Sequence, residues 1–445
     1  MSGKLERVLL VGGCGFVGAK LGKDLNFFGF EVMLVDVVDM PTELLALGSV
    51  RYKRCSMLAR GELEAVFESF QPDAVVMLAS VGMSGAGMLD PYTQEANVTG
   101  VENVLACCTE LPGVSVKALI YTSSYNVVFG GQYIEGGSEA LEYYPASGHT
   151  DYYSASKRMA EERVLGFDNT ATAGGAGTSE VLRTLCLRPA AIYGEGEQRH
   201  FPRIVRHVDA GLFSFTIGDK PVVDWVHVNN LSQAFCRGLE ALLNDDKVHT
   251  VGGKAYFVSD DSPIDSFDFL KPLCAARLAP FPSTVLSLDT ALWLAYLMER
   301  LHLFLRLFMG HAAPAPFLTR AEVYKVGQTH FMSMDRIKQD LGYAPTLDTS
   351  EGAQRMALYF HVLGPEGAPT RFFRVPPYYW WEIIFLGMAV LWAIAFLPEY
   401  EPGSGSVCNP GLGPLVTGFC IVLEYTGLFI FRTKFVLKVV WYTAW

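Results

Sequence analysis

Along the N-terminal half of the chain, short runs of β-branched and leucine residues alternate with stretches in which apolar residues recur every three to four positions. Val8 to Val11 is the first run and stops at Gly12. Helix-period residues then carry the chain to Gly29, and a second run, Val32 to Val35, closes on Asp36. Further strands are expected at Val50 to Arg54, Ala74 to Leu78, Ala118 to Tyr121 and Val181 to Leu187, with helical stretches between them. Strands alternating with helices predict an α/β architecture, a doubly wound parallel sheet that binds ligands beyond the carboxyl ends of its strands. The expected core covers 1–188, followed by a smaller C-terminal substrate lobe over 189–362 that returns strands. Residues 168–180, "DNTATAGGAGTSE", read as a flexible surface loop.

The pattern changes at the C-terminus. Tyr378 to Leu397 is a run of 20 residues with one charge, long enough as a helix to cross the roughly 30 Å of a bilayer's hydrocarbon core. Tyr378, Tyr379, Trp380 and Trp381 gather at one end as an interfacial belt would. Leu412 to Phe431 is of similar length, and its one charge, Glu424, is expensive in lipid and so should face protein or lie shallow. Arg371 and Arg374 precede the first run, and Arg432, Lys434 and Lys438 follow the second, which places both flanks on the cytosolic side. The expectation is a linker over 363–377 and a C-terminal transmembrane helical hairpin with a short tail over 378–445. A third stretch, 285–308, is interrupted by charges. Glu299, His302 and Arg306 share one helical face, which suggests a helix lying in the membrane surface; a helix packed on the substrate lobe is the equal alternative.

Composition sharpens this in three ways. Half of the 445 residues are hydrophobic and the mean hydropathy is +0.24, more than a soluble core requires. A net charge of −11 offers no basic field, which argues against nucleic acid as a partner. Nine cysteines, odd in number and without C-x-x-C or Cys/His spacing, read as reduced thiols and give no metal site. The first apolar run is short and ends in glycines, unlike a signal peptide, so the catalytic domain is expected in the cytosol.

Candidate chemistry begins at "VGGCGFVG". Gly12, Gly15 and Gly18 have G-x-x-G-x-x-G spacing between a strand and a helix, where glycine lets backbone approach a pyrophosphate and the helix start offers unpaired N–H groups. Asp36, ending the second strand, can accept both ribose hydroxyl protons of an adenosine and would repel a 2′-phosphate. A Rossmann-type core holding NAD, with NADP disfavoured, is the consequence.

In "DYYSASK", Tyr153 and Lys157 are four apart and meet on one helix face, while Tyr152 points away and should be a packing residue. A nearby ammonium favours the phenolate, so Lys157 would lower the Tyr153 pKa toward neutrality and make it a general base. Chance alone supplies roughly 0.6 such pairs in a chain with 20 tyrosines, so the motif needs company. Ser124, at the end of "LIYTSS", could reach the same oxygen. Asn97, in "ANVTG", should sit at a helix start as an N-cap or a proton-relay link. His200 and His227 are expected to serve structure.

Taken together with "LRPAAIYG", these motifs resemble the extended short-chain dehydrogenases/reductases. The strings "SYNVVFGGQYI", "RPAAIYGEGEQRHFPRIV", "DWVHVNNL" and "PFLTRAEVYKVGQTHFMSMDRIKQDLGY" are similar to the 3β-hydroxysteroid dehydrogenase branch, family 42E within it. Val11, Ser56, Met77 and Asn229 depart from that pattern; none of them is a catalytic position. The resemblance implies Tyr153 as base, Lys157 as the group that lowers its pKa and binds the nicotinamide ribose, Ser124 polarising the substrate oxygen and Asn97 in a relay. Gly12, Gly15, Phe16, Val17, Gly18 and Asp36 would hold NAD. The implied reaction is NAD-dependent oxidation of a 3β-hydroxyl on a lipophilic steroid or sterol by an enzyme bound to the lipid bilayer, the endoplasmic reticulum by default. Alternatives are a sterol 4α-carboxylate 3-dehydrogenase, a dehydrogenase with a Δ5-4 isomerase step, and a structural subunit that keeps NAD as a fixed ligand in a membrane complex. Assembly of the enzyme as a homo-oligomer is left open.

Overall fold

Four consecutive apolar residues in a parallel strand have both faces to bury, and the fold is built on that fact. A computed structural model describes residues 6–173 and 180–362. The strands are β1 (Arg7–Val11), β2 (Glu31–Asp36), β3 (Arg51–Arg54), β4 (Ala74–Met77), β5 (Ala118–Thr122), β6 (Val181–Pro189) and β7 (Lys254–Val258). They pair in the order β7-β6-β5-β4-β1-β2-β3, all parallel. Alternation along each strand sends Val8 and Leu10 to one face, with the helices α1 (Phe16–Phe27) and α5 (Val228–Leu242). Leu9 and Val11 go to the other, with α2 (Arg60–Phe70), α3 (Pro91–Thr109) and α4 (Tyr152–Gly166). The sheet is therefore doubly wound, and the strand order reverses between β1 and β4, the switch point at whose carboxyl ends such sheets bind ligands.

Residues beyond 188 return to this sheet. β7 lies on β6 with Tyr256 opposite Leu187, and α5 packs across α1. The segment expected to be a flexible surface loop carries a short strand, Thr170–Ala171, antiparallel to β6; its residues 174–179 lie outside the described part. A second set of elements lies outside the main sheet. It includes α6 (Leu288–Met309) and α7 (Arg320–Gly327), which pack together through Ala291, Ala295 and Val323 against Ile217.

α6 agrees with the second of the two readings of its polar face, a helix packed on the substrate lobe. Glu299 is buried and its carboxylate accepts from Arg320 N and Nε, both at 2.7 Å. His302 Nδ1 meets the Pro314 carbonyl at 2.7 Å, and Arg306 Nη2 donates to Asp90 Oδ2 at 2.6 Å. These groups face protein because only there does each find a partner, while Trp293, Tyr296, Leu303, Leu307 and Phe308 are exposed on the outer side. Among the described residues no helix is long and apolar enough to cross a membrane. The expected spans at 378–397 and 412–431 lie outside them.

Candidate active site

The turn after β1 is shaped by glycine. Gly12 has φ +85°, and a Cβ there would stand 2.4 Å from the Ala79 backbone nitrogen; at Gly18 it would meet the Gly12 carbonyl oxygen at 2.6 Å. Helix and strand can touch only because both are glycine. Gly15 is different, since a Cβ there meets nothing closer than 3.5 Å. It caps α1, whose first helical bond runs from Ala19 N to Gly15 O at 2.8 Å. The amides of Phe16, Val17 and Gly18 precede that bond, the donors that a helix start leaves free for a phosphate.

Asp36 closes the turn. Its carboxylate accepts from Cys14 N at 3.0 Å and Val37 N at 2.7 Å, which fixes it at the end of β2 beside the glycines. An open helix start, an unobstructed Gly15 and a fixed acid fit a dinucleotide with a free 2′-hydroxyl. Ser56 holds its own turn, accepting from Leu58 N at 3.2 Å.

α4 brings the second constellation to the same end of the sheet. Asp151 caps it, accepting from Ser154 N at 2.7 Å and Ser154 Oγ at 2.9 Å. Tyr153 turns inward. Tyr152 is 39% exposed, so the expectation of a packing residue fails: as the first residue of the helix it faces outward. Lys157 is 2% exposed, donates to the Thr122 carbonyl at 2.7 Å and stands 5.7 Å from the Tyr153 ring centre. Burial pushes its pKa down to about 7.

Tyr153 does not show the lowered pKa expected of it. Burial, then the neighbouring Asp151 carboxylate, push the phenol up, while the Ser80 hydroxyl and Arg199 guanidinium pull the other way. Lys157 is committed to a carbonyl rather than to the phenol. The chain's own charges thus do not suffice to make a phenolate, and a further cation beside the ring is required. The positively charged ring of oxidised NAD would supply it when bound.

Ser124 is buried after β5, and its Oγ accepts from Asn126 N at 3.3 Å, capping the 3-10 turn Tyr125–Val127 on which α4 packs. Asn97 departs from expectation. α3 starts at Pro91 with Asp90 as its cap, so Asn97 is inside the helix; its amide is spent on Val81 N and O at 2.9 and 3.1 Å and on Ser156 Oγ at 2.9 Å. Ser156 Oγ in turn donates to the Tyr153 carbonyl, so Asn97 ties the loop after β4 to the helix carrying the base. His227 is structural as expected, capping α5 and meeting Glu195 Oε2 at 2.9 Å. Among the described residues no cluster could hold a metal.

Sequence reasoning passed over three groups. Glu161, one turn beyond Lys157, is fully buried and accepts from Arg188 Nε at 3.0 and 3.1 Å, from Arg188 Nη2 at 2.5 Å and from the Tyr143 hydroxyl at 2.7 Å. Ser80, in the segment after β4, has a buried hydroxyl without a hydrogen-bond partner and acts to lower the Tyr153 pKa. Lys325, on α7, puts its ammonium 5.9 Å from the Tyr153 ring centre. Only Glu161 carried a sequence signal, its spacing of four from Lys157.

A dinucleotide turn at the switch point and a tyrosine–lysine helix beside it define a short-chain dehydrogenase/reductase, and the similarities agree. Residues 9–283 match the profile of the 3-beta hydroxysteroid dehydrogenase/isomerase family. Human short-chain dehydrogenase/reductase family 42E member 1 is 41% identical over 398 residues, 88% of this chain and 96% of that protein. The 3 beta-hydroxysteroid dehydrogenase/Delta 5→4-isomerase of Mycobacterium tuberculosis is 30% identical over 365 residues, 80% of this chain and 91% of that protein. The fold matches Thermus thermophilus UDP-glucose 4-epimerase complexed with NAD at a TM-score of 0.58 and 21% identity, over 79% of this chain and 98% of that one. The chain belongs to the 3-beta hydroxysteroid dehydrogenase/isomerase family and is an NAD-dependent oxidoreductase.

Proposed function

We propose that the protein oxidises the 3β-hydroxyl of a steroid or sterol with NAD, at a membrane. The observation that carries this is the inward pairing of Tyr153 with Lys157 on α4, beside the glycine turn that holds the cofactor. In the reaction the Tyr153 oxygen takes the hydroxyl proton, the carbinol C–H electron pair leaves as hydride, and the carbon becomes a ketone. NAD, when bound, is the hydride acceptor. Lys157, held on the Thr122 carbonyl, places its amine 5.7 Å from the Tyr153 ring centre, and Ser124 presents a hydroxyl from the end of β5. The Asp151 cap and the Ser156 bond to the Tyr153 carbonyl set the first turn of α4.

The lipophilic substrate and the bilayer as partners rest on the exposed apolar side of α6 and on the two apolar runs at 378–397 and 412–431, read as a hairpin in the endoplasmic reticulum with the enzyme in the cytosol. The test is NADH formation by the detergent-solubilised full-length protein with a panel of 3β-hydroxysteroids. Stoichiometric appearance of the 3-ketone supports the reading. Tight NAD binding without turnover of any panel member favours the structural subunit instead.

A further inference from the structure

Resting on the assignment of Tyr153 as the base and going beyond it, we propose that Lys325 is a positioning residue that holds the Tyr153 phenolate from the substrate lobe, as a second lysine beside Lys157. Its Nζ stands 5.9 Å from the Tyr153 ring centre, against 5.7 Å for Lys157. A phenolate spreads its charge from the oxygen into the ring, so an ammonium at that range favours it over the phenol. The two lysines are differently placed. Lys157 lies on the helix of the tyrosine itself and donates to the Thr122 carbonyl, and burial pushes its pKa down to about 7, so part of its charge is lost at neutral pH. Lys325 is only half-buried, a setting less hostile to charge.

The fold pins Lys325 in place. α7 opens with a capping box, in which Thr319 Oγ1 accepts from Glu322 N at 3.2 Å and Glu322 Oε2 accepts from Thr319 N at 3.0 Å. Arg320 is held on Glu299. One position before Lys325, the Tyr324 ring lies over Gly131, where a Cβ would stand 2.4 Å from it; Gly131 has φ +112°, so glycine both makes that turn and leaves room for the helix. The acids that could draw the ammonium away are already engaged. Glu322, three positions before Lys325, accepts from Arg203 Nη2 at 2.9 Å, and Asp151 accepts from Ser154 N and Oγ.

The groups that face the Tyr153 phenol come from five parts of the chain: Asp151 and Lys157 with α4, Tyr121 from β5, Tyr125 from the turn after Ser124, Arg199 from the segment before Phe201, and Lys325 from α7. Tyr121 and Tyr125 are pushed up, by burial above all, and stay neutral. His149, His200 and His330 also feel Lys325; burial first, and the Lys325 charge with it, push these imidazoles down, so they are neutral as well. Asp151 is then the one anion in this group. Lys325 therefore supplies a large share of the positive charge that opposes it, in addition to the charge that the oxidised cofactor brings.

The test follows phenolate absorbance through a pH titration of the NAD-bound, detergent-solubilised full-length protein, as wild type, Lys325→Met and Lys325→Arg, each read against the same chain with Tyr153→Phe added. The wild type should show a Tyr153 transition below the ordinary tyrosine value of about 10, moved up by about one pH unit in Lys325→Met and by much less in Lys325→Arg. NADH affinity on the same preparations should be unchanged; if Lys325→Met loses it through misfolding, Lys325→Gln takes its place. With a steroid that is turned over, the acid limb of kcat/KM should move up by the same amount while the alkaline plateau stays within about twofold of wild type, whereas a merely structural defect lowers it at every pH. An unmoved Tyr153 transition in Lys325→Met, or none below about pH 10 in the wild type, overturns the proposal. If no panel steroid is turned over, the proposed reaction fails, and the titration still decides the role of Lys325.

Discussion

Glu161 and Arg188 form an ion pair under the catalytic helix, and the structure predicts what breaking it costs. Glu161 is fully buried and Arg188 is 4% exposed, with two arginine nitrogens on the carboxylate and the Tyr143 hydroxyl completing it. Replacing Glu161 with Met leaves a buried guanidinium without its counter-charge, a change worth about 3–5 kcal/mol. For a domain of roughly 350 residues, an unfolding entropy of about 2.1 cal/mol/K per residue makes ~0.7 kcal/mol per degree, so the expected fall in Tm is about 4–7 °C. Changing both residues to Met replaces the pair by apolar side chains of similar bulk and should recover at least half of the loss, because no charge is then stranded. The assay is thermal unfolding of the detergent-solubilised, NAD-free protein followed by circular dichroism. A Glu161→Met variant melting within 1 °C of wild type, or a double variant melting below it, would refute this reasoning.

Lys157 has a pH signature. Its folded pKa of about 7 lies below the ordinary lysine value, so the folded state binds fewer protons than the unfolded state from about pH 7 to about 10.5, and stability rises with pH across that window. Lys157→Met should therefore raise the Tm of the NAD-free protein at pH 6 and raise it much less at pH 9.5; an equal gain at both would contradict the assigned burial cost. Asp36→Ala should relax cofactor choice, improving kcat/KM for NADP relative to NAD by about tenfold or more, because the repelling carboxylate is gone. An unaltered ratio would remove Asp36 from the ribose site. Gly18→Ala drives a methyl against the Gly12 carbonyl and Gly13 and should weaken NADH binding, read by fluorescence, at about 1–3 kcal/mol of stability. Unchanged binding would mean the turn is looser than it looks.

The core strands were legible because a parallel strand buried on both faces is written as an unbroken apolar run. The six expected strands match β1 to β6 to within two residues at their ends, and β3, the polar and exposed edge strand Arg51–Arg54, is the one that no apolar run marks. The cofactor turn was legible for the same local reason: glycine spacing and a strand-ending acid lie within one strand–helix–strand unit. Tyr153 and Lys157 were legible from a spacing of four. Asn97 was misplaced because "DPYTQ" starts the helix with an Asp cap and a proline in the first turn, moving the boundary two turns earlier. The polar stripe of α6 was seen, but periodicity gives a face without saying what it meets, and Arg320, Pro314 and Asp90 come from distant segments. Lys325, Ser80 and His149 had no local signal for the same reason; only the closing of α7 over α4 brings a remote lysine to the ring of Tyr153. The pKa of Tyr153 was misjudged because the sequence shows Lys157 nearby but not the burial and the Asp151 carboxylate that oppose it.

The account turns on Tyr153 being the base and its neighbour a bystander. The decisive measurement is kcat for steroid-dependent NADH formation by Tyr153→Phe and Tyr152→Phe, with NADH affinity measured on the same preparations. Loss of at least about a hundredfold in kcat for Tyr153→Phe at unchanged NADH affinity, with Tyr152→Phe close to wild type, is the predicted result. Turnover that persists in Tyr153→Phe, or a comparable loss in Tyr152→Phe, would contradict it.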